Sequence, residues 1–204
     1  MHFGEIFSAF VLLWAVIDPI GTVPVFIAAT QKHPEKDKRK IAVQAVFIAA
    51  CVLLFFLIAG QFLLEEMGIP LSAFQVAGGI VLFLFSLTMI FGESKPESEI
   101  EIVKSGRDTA IFPIAVPSIA GPGAILAIVL LTDNHRFDVI YQVYMALIML
   151  LVLGFTLLLL LLASYIHRLI GDSGASVISR VMGLILGAVA VNAILVGIKV
   201  FFSL

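Results

Sequence analysis

Residues 15–24 read Ala-Val-Ile-Asp-Pro-Ile-Gly-Thr-Val-Pro, and residues 115–124 read Ala-Val-Pro-Ser-Ile-Ala-Gly-Pro-Gly-Ala. At this offset of 100 residues, Ala15, Val16 and Gly21 match Ala115, Val116 and Gly121, and Asp18 falls on Ser118. Each stretch places proline and glycine inside an apolar run, and proline interrupts a helix because it lacks an N–H donor and clashes with the preceding turn. Two matched interrupted spans in the two halves of a chain are typical of a transporter's binding site.

The composition is that of a membrane protein. Of the 204 residues, 61% are hydrophobic and 13% are charged, and the mean hydropathy is +1.17. Six apolar runs each reach the ~20 residues that cross ~30 Å of hydrocarbon. They cover residues 3–29, 41–64, 70–91, 110–131, 140–165 and 178–202. We therefore expect an all-α, multi-pass protein of the cell (inner) membrane with six transmembrane helices and no separate soluble domain.

The basic residues predict the orientation of these spans. One set of loops and helix ends holds ten lysines and arginines: Lys32, Lys36, Lys38, Arg39, Lys40, Lys95, Lys104, Arg107, Arg168 and Arg180. The other set holds only Arg136 and Lys199. Because lysine and arginine are enriched in cytoplasmic loops, we expect the first set to face the cytoplasm and both termini to face outward.

A polar segment, residues 92–109, divides the chain into two halves. We predict a first three-helix repeat in residues 1–91, a cytoplasmic linker in 92–109 and a second three-helix repeat in 110–204. Three is an odd number of spans, so the second repeat must insert with inverted topology. A weaker match supports the duplication: Val76, Gly78 and Ile80 align with Val181, Gly183 and Ile185.

The two interruptions predict helix starts near the middle of the membrane. Asp18 before Pro19 has the order of an N-cap acceptor followed by the first helical residue. We expect Ser118 to cap the second helix in the same way. Unpaired N–H groups and the positive ends of two helix dipoles would then point toward the midplane, where such ends attract anionic groups.

Asp18 is the acid placed in the middle third of a span. Burying a charged group at that depth costs at least ~2.5–3.5 kcal/mol on insertion scales, so such a residue is a functional candidate by default. A helix cap is an equally good interpretation, and the two roles are compatible. Because no lysine or arginine lies at this depth, we hypothesise a zwitterion with its ammonium toward Asp18 and its carboxylate toward the amides near Ser118, Gly121 and Gly123.

An intramembrane enzyme is one alternative, and the sequence argues against it. The histidines lie outside the predicted spans or at their ends: His2, His33, His135 and His167. No HExxH or GxSxG pattern is present, and Asp18 has no acidic partner in another span. We therefore expect no enzymatic activity, no catalytic residue, no cofactor, no metal site and no nucleic-acid partner.

Two other classes of membrane protein stay open. A non-transporting scaffold or regulatory protein is compatible with the composition, although structural helices need no matched interruptions. A passive channel is also compatible, but no ring of like charges marks an ion pore.

The chain resembles the MarC family, also called the neutral amino acid transporter (NAAT) family. Residues 18–26 (Asp-Pro-Ile-Gly-Thr-Val-Pro-Val-Phe) are similar to that family's D-P-[IL]-G-N-x-P-x-F motif, and residues 113–125 and 180–186 also match. The resemblance covers essentially the whole chain. It implies a six-span protein, some of whose relatives move glycine, alanine and other small neutral amino acids. Thr22 stands where the motif has asparagine, and threonine lacks the paired donor and acceptor of an amide.

We therefore expect a secondary transporter of small neutral amino acids, working by alternating access, with another small neutral solute as the alternative substrate. The predicted substrate-binding residues are Asp18, Gly21, Thr22, Pro24, Ser118, Gly121, Pro122, Gly123 and Asn192. The sequence is compatible with import or export and with H⁺ coupling, Na⁺ coupling or facilitated movement. It does not specify an oligomeric state.

Overall fold

The computed structural model describes residues 3–91, 106–133 and 138–203, and these residues form helices and short connections with no strand among them. The helices are α1 Phe3–Ile17, α2 Pro19–Thr30, α3 Glu35–Glu66, α4 Leu71–Phe91, α5 Gly106–Thr109, α6 Pro122–Leu131, α7 Val139–Leu161 and α8 Ala163–Phe201. An irregular π-helical segment, Ala110–Ile119, joins α5 to the turn before α6. Gly171, with φ +63, kinks α8 near its start.

Five of the helical stretches are long and apolar enough to cross a membrane. They are Gly4–Thr30, Glu35–Glu66, Leu71–Phe91, Val139–Leu161 and Ser176–Phe201. A sixth candidate is the pair Ala110–Ile119 and Pro122–Leu131, which is bent by 52°. The prediction of an all-helical membrane protein with several spans is therefore confirmed. The length of ~20 residues needed to cross the hydrocarbon explains why hydropathy alone finds these elements.

The predicted linker lies mostly outside the described residues, because residues 92–105 are not described. Its last four residues, Gly106–Thr109, form the helical turn α5, which runs directly into the π-helical segment. The division into two three-helix halves and their relation by duplication stay predictions.

The core of the bundle is built from small and branched apolar residues. Ala42, Ala45 and Ala49 of α3 are fully buried, and so are Ile114 and Ile119 of the π-helical segment. The large apolar side chains on the outer surface are instead exposed, as expected where lipid covers a helix. Small residues let helices approach closely, which matters in a membrane because lipid is as apolar as leucine and gives no hydrophobic drive to association.

Helices α4 and α8 pack side by side and run antiparallel. A Cβ placed on Gly183 would lie 2.9 Å from the carbonyl oxygen of Ser86, and one on Gly197 would lie 2.9 Å from that of Ser72. Late residues of α8 therefore meet early residues of α4, and earlier residues of α8 meet later ones. The glycines are needed because the opposing atoms include backbone carbonyl oxygens, which cannot move aside as the end of a side chain can.

We expect Gly183→Ala to destabilise the protein by about 1–3 kcal/mol, the usual cost of overpacking a tight contact. Gly154→Ala in α7 is the matched control, because nothing lies within 4 Å of its added Cβ and alanine is the better helix former by up to about 1 kcal/mol. Thermal unfolding in detergent measures both. An equal melting temperature for the two variants would contradict the close α4–α8 contact.

Candidate functional site

A cavity of about 110 Å³ lies where α2, the π-helical segment, α4 and α8 meet. The described residues that line it are Asp18, Gly21, Thr22, Pro24, Val25, Ala28, Phe85, Thr88, Met89, Ser118 and Ser179. They provide one carboxylate and four hydroxyl groups, and none of them is a lysine, arginine or histidine. We call this space the central cavity.

Asp18 forms the link between α1 and α2. It adopts a left-handed backbone conformation (φ 49°, ψ 66°), and its Oδ1 accepts a hydrogen bond from the Gly21 amide at 3.0 Å. Pro19 disfavours the right-handed helical conformation in the residue before it, which explains why the helix is interrupted at this position. The interruption is one residue long, because the Asp18 amide still donates to the carbonyl oxygen of Trp14 at 3.0 Å. The N-cap predicted from the Asp-Pro pair is present.

Gly21 is what allows the carboxylate to fold back. A Cβ at this position would overlap the carboxyl group of Asp18, so any larger residue would displace the cap. Thr22 Oγ1 donates to the carbonyl oxygen of Asp18 at 2.9 Å, and Ser118 Oγ donates to Thr22 Oγ1 at 3.4 Å. This short chain of hydrogen bonds joins the interrupted motif at residues 15–24 to the one at residues 115–124, and Asp18, Gly21, Thr22 and Ser118 are all buried.

Ser118 does not cap a helix, so that expectation was wrong. The N-cap of α6 is Gly121, which has an extended conformation (φ −77°, ψ 170°) and no side chain to accept a hydrogen bond. Pro122 occupies the first turn of α6 and fixes the position of the cap, three residues after Ser118. The serine hydroxyl therefore meets Thr22 instead, and the two caps are not related by the offset of 100 residues.

The nine predicted site residues separate into two groups. Those that line the central cavity are Asp18, Gly21, Thr22, Pro24 and Ser118. The others, Gly121, Pro122, Gly123 and Asn192, are not among its described lining residues. A Cβ on Gly123 would lie 2.5 Å from a methyl carbon of Leu82, so this glycine supports packing of α6 on α4. Asn192 is exposed on the outer face of α8.

Sequence reasoning missed the part of the wall that comes from α4 and α8. Phe85, Thr88 and Met89 of α4 and Ser179 of α8 line the central cavity. Thr88 is a polar residue inside a predicted span, and that polarity is a signal that could have identified it. Ser179 lies at the very start of the last predicted span, where a serine is unremarkable, so no local pattern marks it.

The central cavity extends from Asp18 toward one end of the bundle. Val25 and Ala28 lie in the last turns of α2, and Met89 lies in the last turn of α4. At this end α2 finishes at Thr30, and α3 begins with a run rich in lysine and arginine. We call it the basic end. The cavity can therefore hold a small polar solute beside the Asp18 carboxylate, and its lining extends toward the basic end.

A comparison with known protein families shows which family the chain belongs to. The model of the family described as "MarC family integral membrane protein" matches residues 3–202. The chain belongs to the MarC family. The resemblance that the motifs indicated is thus confirmed over nearly the full length.

Several curated relatives in this family are similar to the chain over almost all of both sequences. The UPF0056 membrane protein of Methanocaldococcus jannaschii is 38% identical, with 94% of each chain covered. The UPF0056 inner membrane protein YhgN of Escherichia coli is 34% identical over 98% of this chain and 99% of its own. The Aquifex aeolicus member is 34% identical, with 97% and 94% covered. No solved structure gives a significant match.

The cap formed by Asp18 can be tested by its effect on stability. Asp18→Ala removes the acceptor for the Gly21 amide, and we expect a loss of about 0.5–2 kcal/mol, the usual cost of deleting an N-cap. Asp18→Asn keeps an oxygen at the Oδ1 position, so its loss should be clearly smaller. Thermal unfolding of both variants in detergent measures this difference.

Asp138 provides the matched control for this cap. It is the N-cap of α7, and its Oδ1 accepts from the Tyr141 amide at 2.9 Å on an exposed surface. Because water can replace that hydrogen bond, Asp138→Ala should cost less than Asp18→Ala. The buried cap at Asp18 would be refuted if Asp18→Ala unfolded at the wild-type temperature.

Proposed function

We propose that this protein is a secondary transporter that moves a small neutral amino acid, such as glycine or alanine, across the cell membrane by alternating access. The observation that carries this proposal is the central cavity, in which one buried carboxylate and four hydroxyl groups surround a small space with no cationic side chain among the described lining residues. Such a lining suits a solute that carries both charges itself.

The size of the central cavity favours a very small substrate. Its volume is about 110 Å³, whereas pockets for drug-sized ligands have about 300–1,000 Å³. A water molecule takes about 30 Å³ in the liquid, so the space suits a solute of only a few heavy atoms. Glycine and alanine are zwitterions of this size class.

The charges of a zwitterion have complementary groups in the cavity wall. Asp18 is 4% exposed, and an ammonium group beside its carboxylate would offset the cost of burying that charge. The substrate carboxylate then needs hydrogen-bond donors. Ser179 is suited to this role, because its hydroxyl makes no hydrogen bond to any described residue. We therefore assign the substrate carboxylate to the side of the cavity that carries the Ser179 hydroxyl, which we call the hydroxyl side, rather than to the amides of Gly121 and Gly123.

The packing around the central cavity supports a mechanism in which the cavity opens to one side at a time. Away from the basic end, Leu82 of α4 fits against Gly123, and Leu126 of α6 fits against Gly78. These contacts are tight, whereas the lining of the cavity extends toward the basic end. We infer an inward-facing state, with the basic end in the cytoplasm as the excess of lysine and arginine predicts.

The arrangement of α4 and α8 is compatible with two inverted repeats, although the third and sixth spans of any six-span protein run in opposite directions. Each is the third span of its predicted half, and the two helices run antiparallel. Third spans of two repeats with opposite orientation must be antiparallel, so the packing is the one that such a duplication requires. Movement of one repeat against the other around the site would then open the opposite side.

Counterflow in proteoliposomes tests this function. Purified protein is reconstituted with unlabelled glycine or alanine inside, and uptake of the labelled amino acid is followed. Asp18→Asn keeps the shape of the cap but removes the charge, so we expect apparent affinity to fall by about 10- to 100-fold, as for loss of a charge-assisted hydrogen bond. Asp138→Asn changes the same residue type at another N-cap outside the cavity and should transport like the wild type.

Each result of this experiment has a defined meaning. Transport by wild type and by Asp138→Asn, with loss in Asp18→Asn, supports ammonium binding by Asp18. Equal transport by all three proteins leaves a transporter in which Asp18 is only a cap. Absence of movement of glycine and alanine by folded wild-type protein contradicts the substrate assignment and favours a different solute or the non-transporting scaffold.

The hydroxyl side of the cavity has its own test. Ser179→Ala should weaken apparent affinity by about 2- to 10-fold, the range for one neutral hydrogen bond. Ser176→Ala is the control, because Ser176 lies one turn earlier on α8, is exposed and is not a described lining residue. Counterflow measured over a range of glycine concentrations gives both values. An equal effect of the two substitutions would rule out a direct role for Ser179.

A further inference from the structure

A second cleft, of about 240 Å³, lies at the basic end where the first turns of α3 meet the junction of α7 and α8. It is distinct from the central cavity, with which it shares no lining residue. Its described lining includes three cationic side chains, those of Lys38, Arg39 and Arg168, and one carboxylate, that of Glu35. The formal net charge of these four groups is therefore +2. We call this space the basic cleft.

The carboxylate of Glu35 in the basic cleft already has partners within the protein. Lys38 Nζ forms a salt bridge with Glu35 Oε1 at 2.7 Å, and Ser164 Oγ lies 3.4 Å from both Glu35 oxygens. The salt bridge lies within α3, and the Ser164 contact joins α3 to the start of α8. Within the described parts of the chain, neither Arg39 nor Arg168 forms a salt bridge. Arg39 is near enough to Glu35 for its charge to act on that carboxylate, but neither guanidinium group is held in a salt bridge, so both can donate hydrogen bonds to an anion.

The wall of the basic cleft continues into an apolar surface. Leu161 and Leu162, at the end of α7, are 42% and 45% exposed, and the nearby Tyr165 is 67% exposed. Tyrosine is enriched where a membrane span meets the headgroup layer. An exposed tyrosine beside exposed leucines is the pattern expected where the headgroup layer meets the acyl chains.

We propose that the basic cleft binds an anionic phospholipid, with Arg39 and Arg168 holding the headgroup phosphate and the acyl chains lying along Leu161 and Leu162. The planar fork of arginine suits phosphate because it can donate two parallel hydrogen bonds. The net charge of +2 selects a lipid with net negative charge over a zwitterionic one. A free phosphate ion would gain nothing from the leucines, so the lipid is the occupant that uses the whole surface.

The test measures lipid binding to the purified, detergent-solubilised full chain by native mass spectrometry, with phosphatidylglycerol as the probe. Phosphatidylcholine and inorganic phosphate are measured alongside. We expect the wild type to bind phosphatidylglycerol at least about tenfold more tightly than phosphatidylcholine. The double variant Arg39→Gln/Arg168→Gln should bind phosphatidylglycerol at least about tenfold more weakly than the wild type, as expected for lost charge-assisted hydrogen bonds.

Two further double variants separate a specific site from general attraction. Lys36→Gln/Lys40→Gln removes the same charge from exposed residues of α3 that are not described lining residues of the cleft, and it should keep the affinity. Arg39→Lys/Arg168→Lys keeps the charge but loses the forks, and it should bind more weakly than wild type. Thermal unfolding without lipid checks that each variant is folded.

The outcomes that overturn the proposal are equally specific. Equal binding of phosphatidylglycerol and phosphatidylcholine by the wild type, which needs no variant, would refute headgroup selection. An equal loss in the lysine control would show diffuse electrostatic attraction instead of a site. Displacement of phosphatidylglycerol by millimolar inorganic phosphate would identify a free-anion site in place of a lipid site.

Discussion

A hydrogen bond between the Gly21 amide and the carboxylate of Asp18 closes the break between α1 and α2, and the rest of the central cavity depends on it. In hydrocarbon an unpaired backbone amide costs several kcal/mol, so a span can be interrupted only where another group satisfies the freed donors. The Asp18 side chain satisfies the freed Gly21 amide, and Asp18 is the one residue that leaves the helical conformation. The carboxylate is thereby fixed at the cavity wall, where it supplies both the helix cap and the negative charge.

Close helix contact is the second constraint, and glycine provides it at each place where the wall must be tight. Gly78 and Gly123 receive leucine side chains from the opposing helix, whereas Gly183 and Gly197 approach backbone carbonyl oxygens as well as side chains. The difference has a mechanical meaning. A contact between glycine and the end of a leucine side chain can be rearranged by a rotamer change, whereas a contact with a carbonyl oxygen holds two helices together. If the proposed transport cycle moves these helices, α4 and α8 would move as one unit, and α6 would separate from α4.

Hydropathy and local chemistry predicted much of this structure, and tertiary geometry decided the rest. The spans follow from the length of the apolar runs, and the cap at Asp18 follows from the Asp-Pro pair, because both depend only on neighbouring residues. The prediction that Ser118 caps a helix failed because Pro122 fixed the next cap at Gly121, although Ser118 does line the central cavity. Asn192 and Ser179 could not be ranked from sequence, since which face of α8 meets the cavity is set by its packing on α4. In an almost uniformly apolar helix, the sequence shows no polar face from which the rotation of the helix about its own axis could be predicted.

The central cavity and the basic cleft have α2 between them. Val25 and Ala28 line the cavity, while Phe26 lines the cleft. Successive residues of a helix are separated by about 100°, so Phe26 lies on a different face from its neighbours. A lipid in the cleft would therefore contact the outer face of α2, and a solute in the cavity would contact its inner face. Coupling between the two sites requires an element that both can bias. Since α2 begins at the Asp18 cap, it is the element through which the surrounding membrane could act on the site.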